Sequence, residues 1–182
     1  MISTIFSILI IGFVTLLAGM VIAPIFFGAP WHPLPTSAIK RILAFAELRP
    51  GEKFYDLGSG DGRVLIAAAK DYGAEGVGVE IDPLKIGLSR WLVRRRGLAD
   101  HIRIFRGNVY AFDYREADVL YIYMTHQALD RLFPDILNNL KPSARIICYR
   151  FCIRGIAPAK VSADKTLFMY RGNKGKEVNT FS

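Results

Sequence analysis

Polar and apolar positions divide the chain into two stretches of unlike character. From Ile2 to Phe27 there is no charged side chain, and the first charge is Lys40. At helical rise such a run covers roughly 39 Å, enough to cross a hydrocarbon core of about 30 Å with some tilt. After Pro35 the period changes, and short apolar runs alternate with segments of helical spacing. This pattern predicts a helix from Thr36 or Ser37, either of which can cap it, to about Glu47. Next come a strand at Lys53–Leu57, a helix at Gly62–Tyr72, a strand at Gly76–Ile81 and a helix at Pro83–Arg96. Strand Ile102–Arg106, a short irregular crossover, strand Val119–Met124, helix Gln127–Leu140 and strand Ala144–Phe151 follow. A loop with little helical pattern leads to a last strand, Thr166–Arg171. Strands alternating with helices of this length imply an α/β fold, a mostly parallel sheet wound on both faces.

The apolar run reads as a retained single-pass transmembrane helix within residues 1–29. A cleavable signal peptide would have a basic start and a small-residue cleavage site. Here no Lys or Arg precedes the run, and it closes on Ile25-Phe26-Phe27-Gly28-Ala29-Pro30-Trp31. Lys40, Arg41, Arg49 and Lys53 all follow it, which places the rest of the chain on the cytoplasmic, or equivalent inner, side. Trp31 falls where amphipathic aromatics collect at the interface. Residues 30–35, rich in proline, form a stiff linker that spans at most about 20 Å and holds the following domain close to the bilayer. That domain covers residues 36–171, and residues 172–182, rich in Lys, Gly and Asn, form a flexible tail.

The chain has 182 residues, which suits one domain with an accessory segment. Its net charge of +8 favours acidic partners without choosing among them. Cys148 and Cys152, four apart on a predicted strand, are too distant for an unstrained disulfide and read as reduced thiols. His32, His101 and His126 have no second ligand at metal spacing, so no metal site is expected.

The candidate chemistry lies at the end of the first strand, in Asp56-Leu57-Gly58-Ser59-Gly60-Asp61-Gly62. A strand, a glycine turn and a helix form the ligand-binding corner of doubly wound folds. The dinucleotide fingerprint would need glycine at position 63, where this chain has Arg63. The second strand ends in Glu80, an acid placed to accept both hydroxyls of a ribose.

Asp56 to Arg63, then Val79-Glu80-Ile81-Asp82-Pro83, resemble the first two motifs of the seven-strand, or class I, S-adenosylmethionine (SAM)-dependent methyltransferases. Pro33-Leu34-Pro35-Thr36, Tyr55 to Arg63 and Cys148-Tyr149-Arg150-Phe151 are similar to the small lysine methyltransferases acting on ATP-synthase c-subunit and adenine-nucleotide translocase, which also carry an N-terminal hydrophobic segment. The resemblance covers about residues 36–171. It implies a Rossmann-like methyltransferase sheet, SAM as cofactor, and a lysine on a membrane protein as acceptor. Asp56, Gly58 and Gly60 would frame the methionine part of SAM, Ser59 would also belong to the cofactor site, and Glu80 would hold the ribose. Asp61 would receive the ligand's amino group, and Asn108 would lie near the adenine. Tyr123, with Met124 and Thr125, would end the fourth strand where the acceptor approaches. The Asn/Asp-Pro-Pro-Tyr/Phe signature is missing from the sequence, which argues against amide and exocyclic-amine acceptors, and no nucleic acid is expected as partner.

Several of these residues have plainer readings. Tyr121 and Tyr123 can be strand residues packed on a helix, and His126 a cap or surface residue. Asp82 reads as a helix cap, and Arg94-Arg95-Arg96 as a solvated helix end complementing the dipole. A lipid or quinone methyltransferase at the membrane surface, and a SAM-binding scaffold without catalysis, remain as alternative functions.

Overall fold

The computed structural model describes residues 4–8, 10–15 and 33–172. Contacts divide the chain into two units, Met1–Pro33 and Leu34–Ser182. In the first, residues 4–8 and 10–15 are helical. Most of the expected anchor, with Trp31, lies outside the described residues, as do residues 173–182 of the expected tail. Among the described residues no helix is long and apolar enough to cross a membrane.

In the second unit four helices and seven strands are described. They run α1 (Thr36–Phe45), β1 (Lys53–Leu57), α2 (Arg63–Tyr72), β2 (Glu75–Glu80), α3 (Pro83–Arg95), β3 (Ile102–Arg106), β4 (Val119–Ile122), α4 (His126–Asn139), β5 (Arg145–Tyr149), β6 (Lys160–Val161) and β7 (Leu167–Arg171). The strands form one sheet in the order β3-β2-β1-β4-β5-β7-β6. Strands β1 to β5 pair in parallel, while β7 runs antiparallel to both its neighbours.

Alternation along the strands sends their side chains to opposite faces. On one face Phe54, Val119, Tyr121 and Ile147 pack with Ile42 and Leu43 of α1, Leu65 of α2 and Ile86 and Val93 of α3. On the other, Leu57, Val79, Leu120 and Ile146 pack with Leu129, Leu132 and Ile136 of α4 and with Tyr114 of the crossover. Three helices thus cover one face, and one helix with an irregular segment covers the other. The crossover from β3 to β4 holds only a 3-10 turn, Val109–Ala111, capped by the Asn108 side chain.

The structure corrects several local expectations. Helix α1 starts after Pro35, with no side-chain capping bond from Thr36 or Ser37. Strand β4 stops at Ile122 and β5 at Tyr149, so Tyr123, Met124, Arg150 and Phe151 lie beyond the strand ends. β4 stops where its pairing with β5 stops, at Ile122 opposite Cys148, while β5 runs one residue further, to Tyr149, paired with Leu167 of β7. β6, whose two residues are exposed, follows from its pairing with β7 and leaves no periodic signal in the sequence.

Candidate active site

β1 delivers Asp56 into the middle of the sheet, in register with Gly78 of β2 and Tyr121 of β4. Past Leu57 the chain turns through Gly58, Gly60 and Gly62, whose φ angles of 80°, 55° and 76° lie in the left-handed region that disfavours any Cβ. The amides of Gly58 and Ser59 both donate to the carbonyl of Val79, at 2.9 and 3.0 Å. The turn is therefore sewn to β2 before α2 begins, with Gly62 as its N-cap. Gly78 permits this approach, because a Cβ there would sit 2.6 Å from Leu65 Cδ1 and 2.7 Å from Ser59 Oγ.

Three carboxylates gather around the turn, and Asp56, Asp61 and Glu80 are all buried. Glu80 Oε2 accepts the amide of Gly60 at 2.9 Å, while Oε1 accepts those of Ile81 and Asp82 at 2.9 and 3.0 Å. A carboxylate has about four acceptor sites, so capacity remains on Oε2 for a further donor. Burial, followed by the nearby Glu80 and Asp61, pushes the Asp56 carboxyl up to about 8. Asp61 is turned toward Arg63, whose Nε lies 3.0 and 2.9 Å from its two oxygens. Arg63 also donates to the carbonyl of Leu34 at 3.0 Å, fastening the start of α2 to the segment ahead of α1.

Of the residues singled out in the sequence, Asp56, Gly58, Gly60 and Glu80 come together at the C-terminal ends of β1 and β2. Asn108 joins them, because Gly107 donates to the Glu80 carbonyl at 3.0 Å. Its Oδ1 accepts the Tyr110 amide at 3.0 Å. Ser59 lies in the same turn, its hydroxyl directed inward at Gly78 with no hydrogen-bond partner among the described residues. Asp61 faces Arg63 with both its oxygens in an ion pair. Arg63, which breaks a dinucleotide fingerprint and closes the family motif, has this structural role without having been expected to bind anything. Its spacing two positions after Asp61 was the available signal.

A second group forms the far rim. Met124 lies over the turn, its Cε 3.4 Å from where a Cβ on Gly58 would be. Tyr123 is half-buried and meets Tyr149 edge to face, ring centroids 5.1 Å apart. Arg150 lies over the Tyr149 ring at 5.6 Å and adopts a positive φ of 66°, unusual for a side-chain-bearing residue. The Tyr149 phenol, with Tyr123 adding to it, holds the Arg150 guanidinium above its ordinary pKa. His126, in the first turn of α4, sets its ring edge to face with Phe151 at 4.9 Å. Tyr121 is a buried strand residue, stacked near Phe54. Asp82 caps α3, accepting the amides of Leu84 and Lys85. Cys148 is a buried free thiol, pushed up to about 12 by burial.

Solved proteins share this architecture. An RNA methyltransferase from Salinibacter ruber, determined with S-adenosyl-L-homocysteine, aligns with a TM-score of 0.77 and 30% identity over 80% of this chain and 97% of that one. The fold and the turn beneath Glu80 are those of a Rossmann-like, SAM-dependent methyltransferase. Residues 56–160 match the ANTKMT methyltransferase domain, and the chain belongs to that family. A protein-lysine N-methyltransferase of Saccharolobus islandicus is 32% identical over 148 residues, 78% of this chain and 92% of that protein. A lysine N-methyltransferase of Xenopus laevis, named for the ATP-synthase c-subunit, is 32% identical over 122 residues, 67% of this chain but 53% of its own length.

The donor set fits SAM. The cofactor carries an ammonium, a sulfonium and a ribose diol, and the site offers clustered carboxylates beside a turn open at Gly58. A carboxyl held near 8 by burial and by two acidic neighbours is stabilised in its charged form by an added cation.

Proposed function

We propose that this protein transfers methyl groups from SAM to a lysine side chain on a membrane-associated protein. The observation that carries this reading is the 32% identity to a protein-lysine N-methyltransferase through 92% of that relative's length. That relative has little chain beyond what is shared here from which to build a separate acceptor domain. Relatives named for the ATP-synthase c-subunit and for adenine nucleotide translocase support a membrane protein as acceptor.

Asp56 and the Gly58 and Gly60 backbone frame the methionine part of the cofactor, with Ser59 contributing main chain and Asp61 acting through Arg63. Glu80 takes the ribose hydroxyls, and Asn108 lies toward the adenine. Bound there, SAM supplies a methyl carbon on a positively charged sulfur, open to in-line displacement. Tyr123 and Tyr149 confine the acceptor chain and exclude water, so proximity and orientation supply most of the acceleration. A lysine ammonium, with a reference pKa of about 10.4, must lose its proton before attack. Desolvation against the packed ring pair and the nearby Arg150 cation both favour the neutral amine.

Residues 2–27 anchor the chain in a bilayer, and the Lys and Arg that follow keep the catalytic unit on the cytoplasmic or equivalent inner side. The uncharged composition of that run supports the anchor. Washing membranes with carbonate tests it: the protein remains in the pellet, and release into the supernatant would refute the anchor.

Incubating the full chain with labelled SAM and total membranes, then fractionating, tests the acceptor. Label in protein, recovered as methylated lysine, is the expected result. Label in the lipid extract would support a lipid or quinone acceptor instead, and label in RNA would support the activity named for the Salinibacter relative.

A further inference from the structure

Helix α3 is apolar on two opposite faces. Ile86, Ser89 and Val93 turn inward and are buried. Leu84, Leu88 and Trp91, at helical spacings of four and three, project the other way and are 58%, 43% and 52% exposed. Gly87 widens that face, since a Cβ there would meet nothing within 4 Å. A helix needs only one apolar face to pack on a sheet, and a second, outward stripe signals something that covers it.

The charges around the stripe indicate what that is. Between Pro83 and Ala99 the chain has Lys85, Arg90, Arg94, Arg95 and Arg96 and no acidic residue. Arg90 is turned back onto the carbonyl of Ile104, and Lys85 pairs with Asp82. Arg94, Arg95 and Arg96 are exposed at the end of the helix, and the Arg95 guanidinium lies 5.2 Å over the Trp91 ring. An apolar stripe that ends in an indole beside guanidinium groups matches the layered chemistry of an anionic bilayer surface. There the acyl boundary takes Leu and Trp, and phosphates take Arg.

We propose that the outward face of α3, through Leu84, Leu88, Trp91 and Arg94–Arg96, lies on the surface of an anionic membrane. This adds a second contact to the membrane placement proposed above, independent of residues 2–27. It would fix the orientation of the catalytic unit on the bilayer surface.

The chain has two tryptophans, so Trp31→Phe leaves Trp91 as sole reporter in the full-length protein. The protein is mixed with phosphatidylcholine vesicles, with and without phosphatidylglycerol, carrying brominated acyl chains. Trp91 emission is expected to shift to shorter wavelength and to be quenched by the bromolipid when phosphatidylglycerol is present. Added salt, or joint replacement of Arg94, Arg95 and Arg96 by Glu, is expected to remove that quenching. Vesicle flotation reads the anchor separately, and methyl transfer reads the catalytic proposal separately. Equal acrylamide access to Trp91 with and without vesicles would overturn the inference. Shielding of Trp91 from acrylamide without bromolipid quenching would also overturn it, since protein would then cover the stripe.

Discussion

The Glu80 carboxylate holds the amide of Gly60 at 2.9 Å, so the residue expected to take the ribose also pins the glycine turn. A charged acceptor on a main-chain amide is worth about 1.5–3 kcal/mol. Replacing Glu80 by Ala should lower SAM affinity by that amount, and also lower the stability of the ligand-free protein. Calorimetry and chemical denaturation read the two losses. Glu80→Gln keeps one accepting oxygen and turns a donor toward either Gly60 or the Ile81 and Asp82 amides, so it should recover only part of each loss. Unchanged affinity in Glu80→Ala would remove Glu80 from the cofactor site.

Asp56 supplies a pH dependence. Its carboxyl is raised from 3.8 to about 8 by burial and by Glu80 and Asp61, so between those values the folded chain holds a proton that the unfolded chain has lost. Its stabilising contribution is therefore complete below about pH 4 and declines as pH rises toward 8. A cationic cofactor favours the ionised form, so binding SAM near pH 7 should release a proton and tighten as pH rises. Calorimetry in two buffers of different ionisation enthalpy measures that release, and Asp56→Asn should abolish it.

Gly78 lies where β2, α2 and the turn approach most closely. Gly78→Ala places a methyl group against Leu65 and Ser59 and should cost about 1–3 kcal/mol through overpacking. A denaturation midpoint equal to that of the parent would show that the turn can move aside.

Arg63→Ala leaves the buried Asp61 without its counter-ion and frees the Leu34 carbonyl. Because the Arg63 side chain is partly exposed, a loss of about 1–3 kcal/mol is expected, below that of a fully buried pair. Thermal unfolding of the variant measures it. Arg63→Lys should restore only part, since a lysine cannot pair bidentately.

Tyr123→Ala should slow methyl transfer by about 10- to 100-fold through loss of acceptor positioning, with SAM affinity retained. Tyr123→Phe keeps the ring and should keep most of the rate. A parallel fall in SAM binding would instead make Tyr123 part of the cofactor site.

Local sequence determined the parallel α/β core, the bounds of β1 and β3, the cap at Asp82, and the family motifs from Asp56 to Glu80. Each depends on short-range periodicity, on a turn that only glycine adopts easily, or on an acid at a fixed distance along one strand. Tertiary structure decided the rest. β4 ends where its pairing with β1 and β5 ends, β5 runs one residue further against β7, and β6 exists because β7 offers it an edge. Ser59 turned inward because Gly78, 19 positions later, left room for its hydroxyl. Tyr123, Tyr149 and Arg150 form one rim because neighbouring parallel strands bring their C-terminal ends together. Chain order records propensity and spacing, but which side chains share a buried volume is settled only when the sheet is assembled.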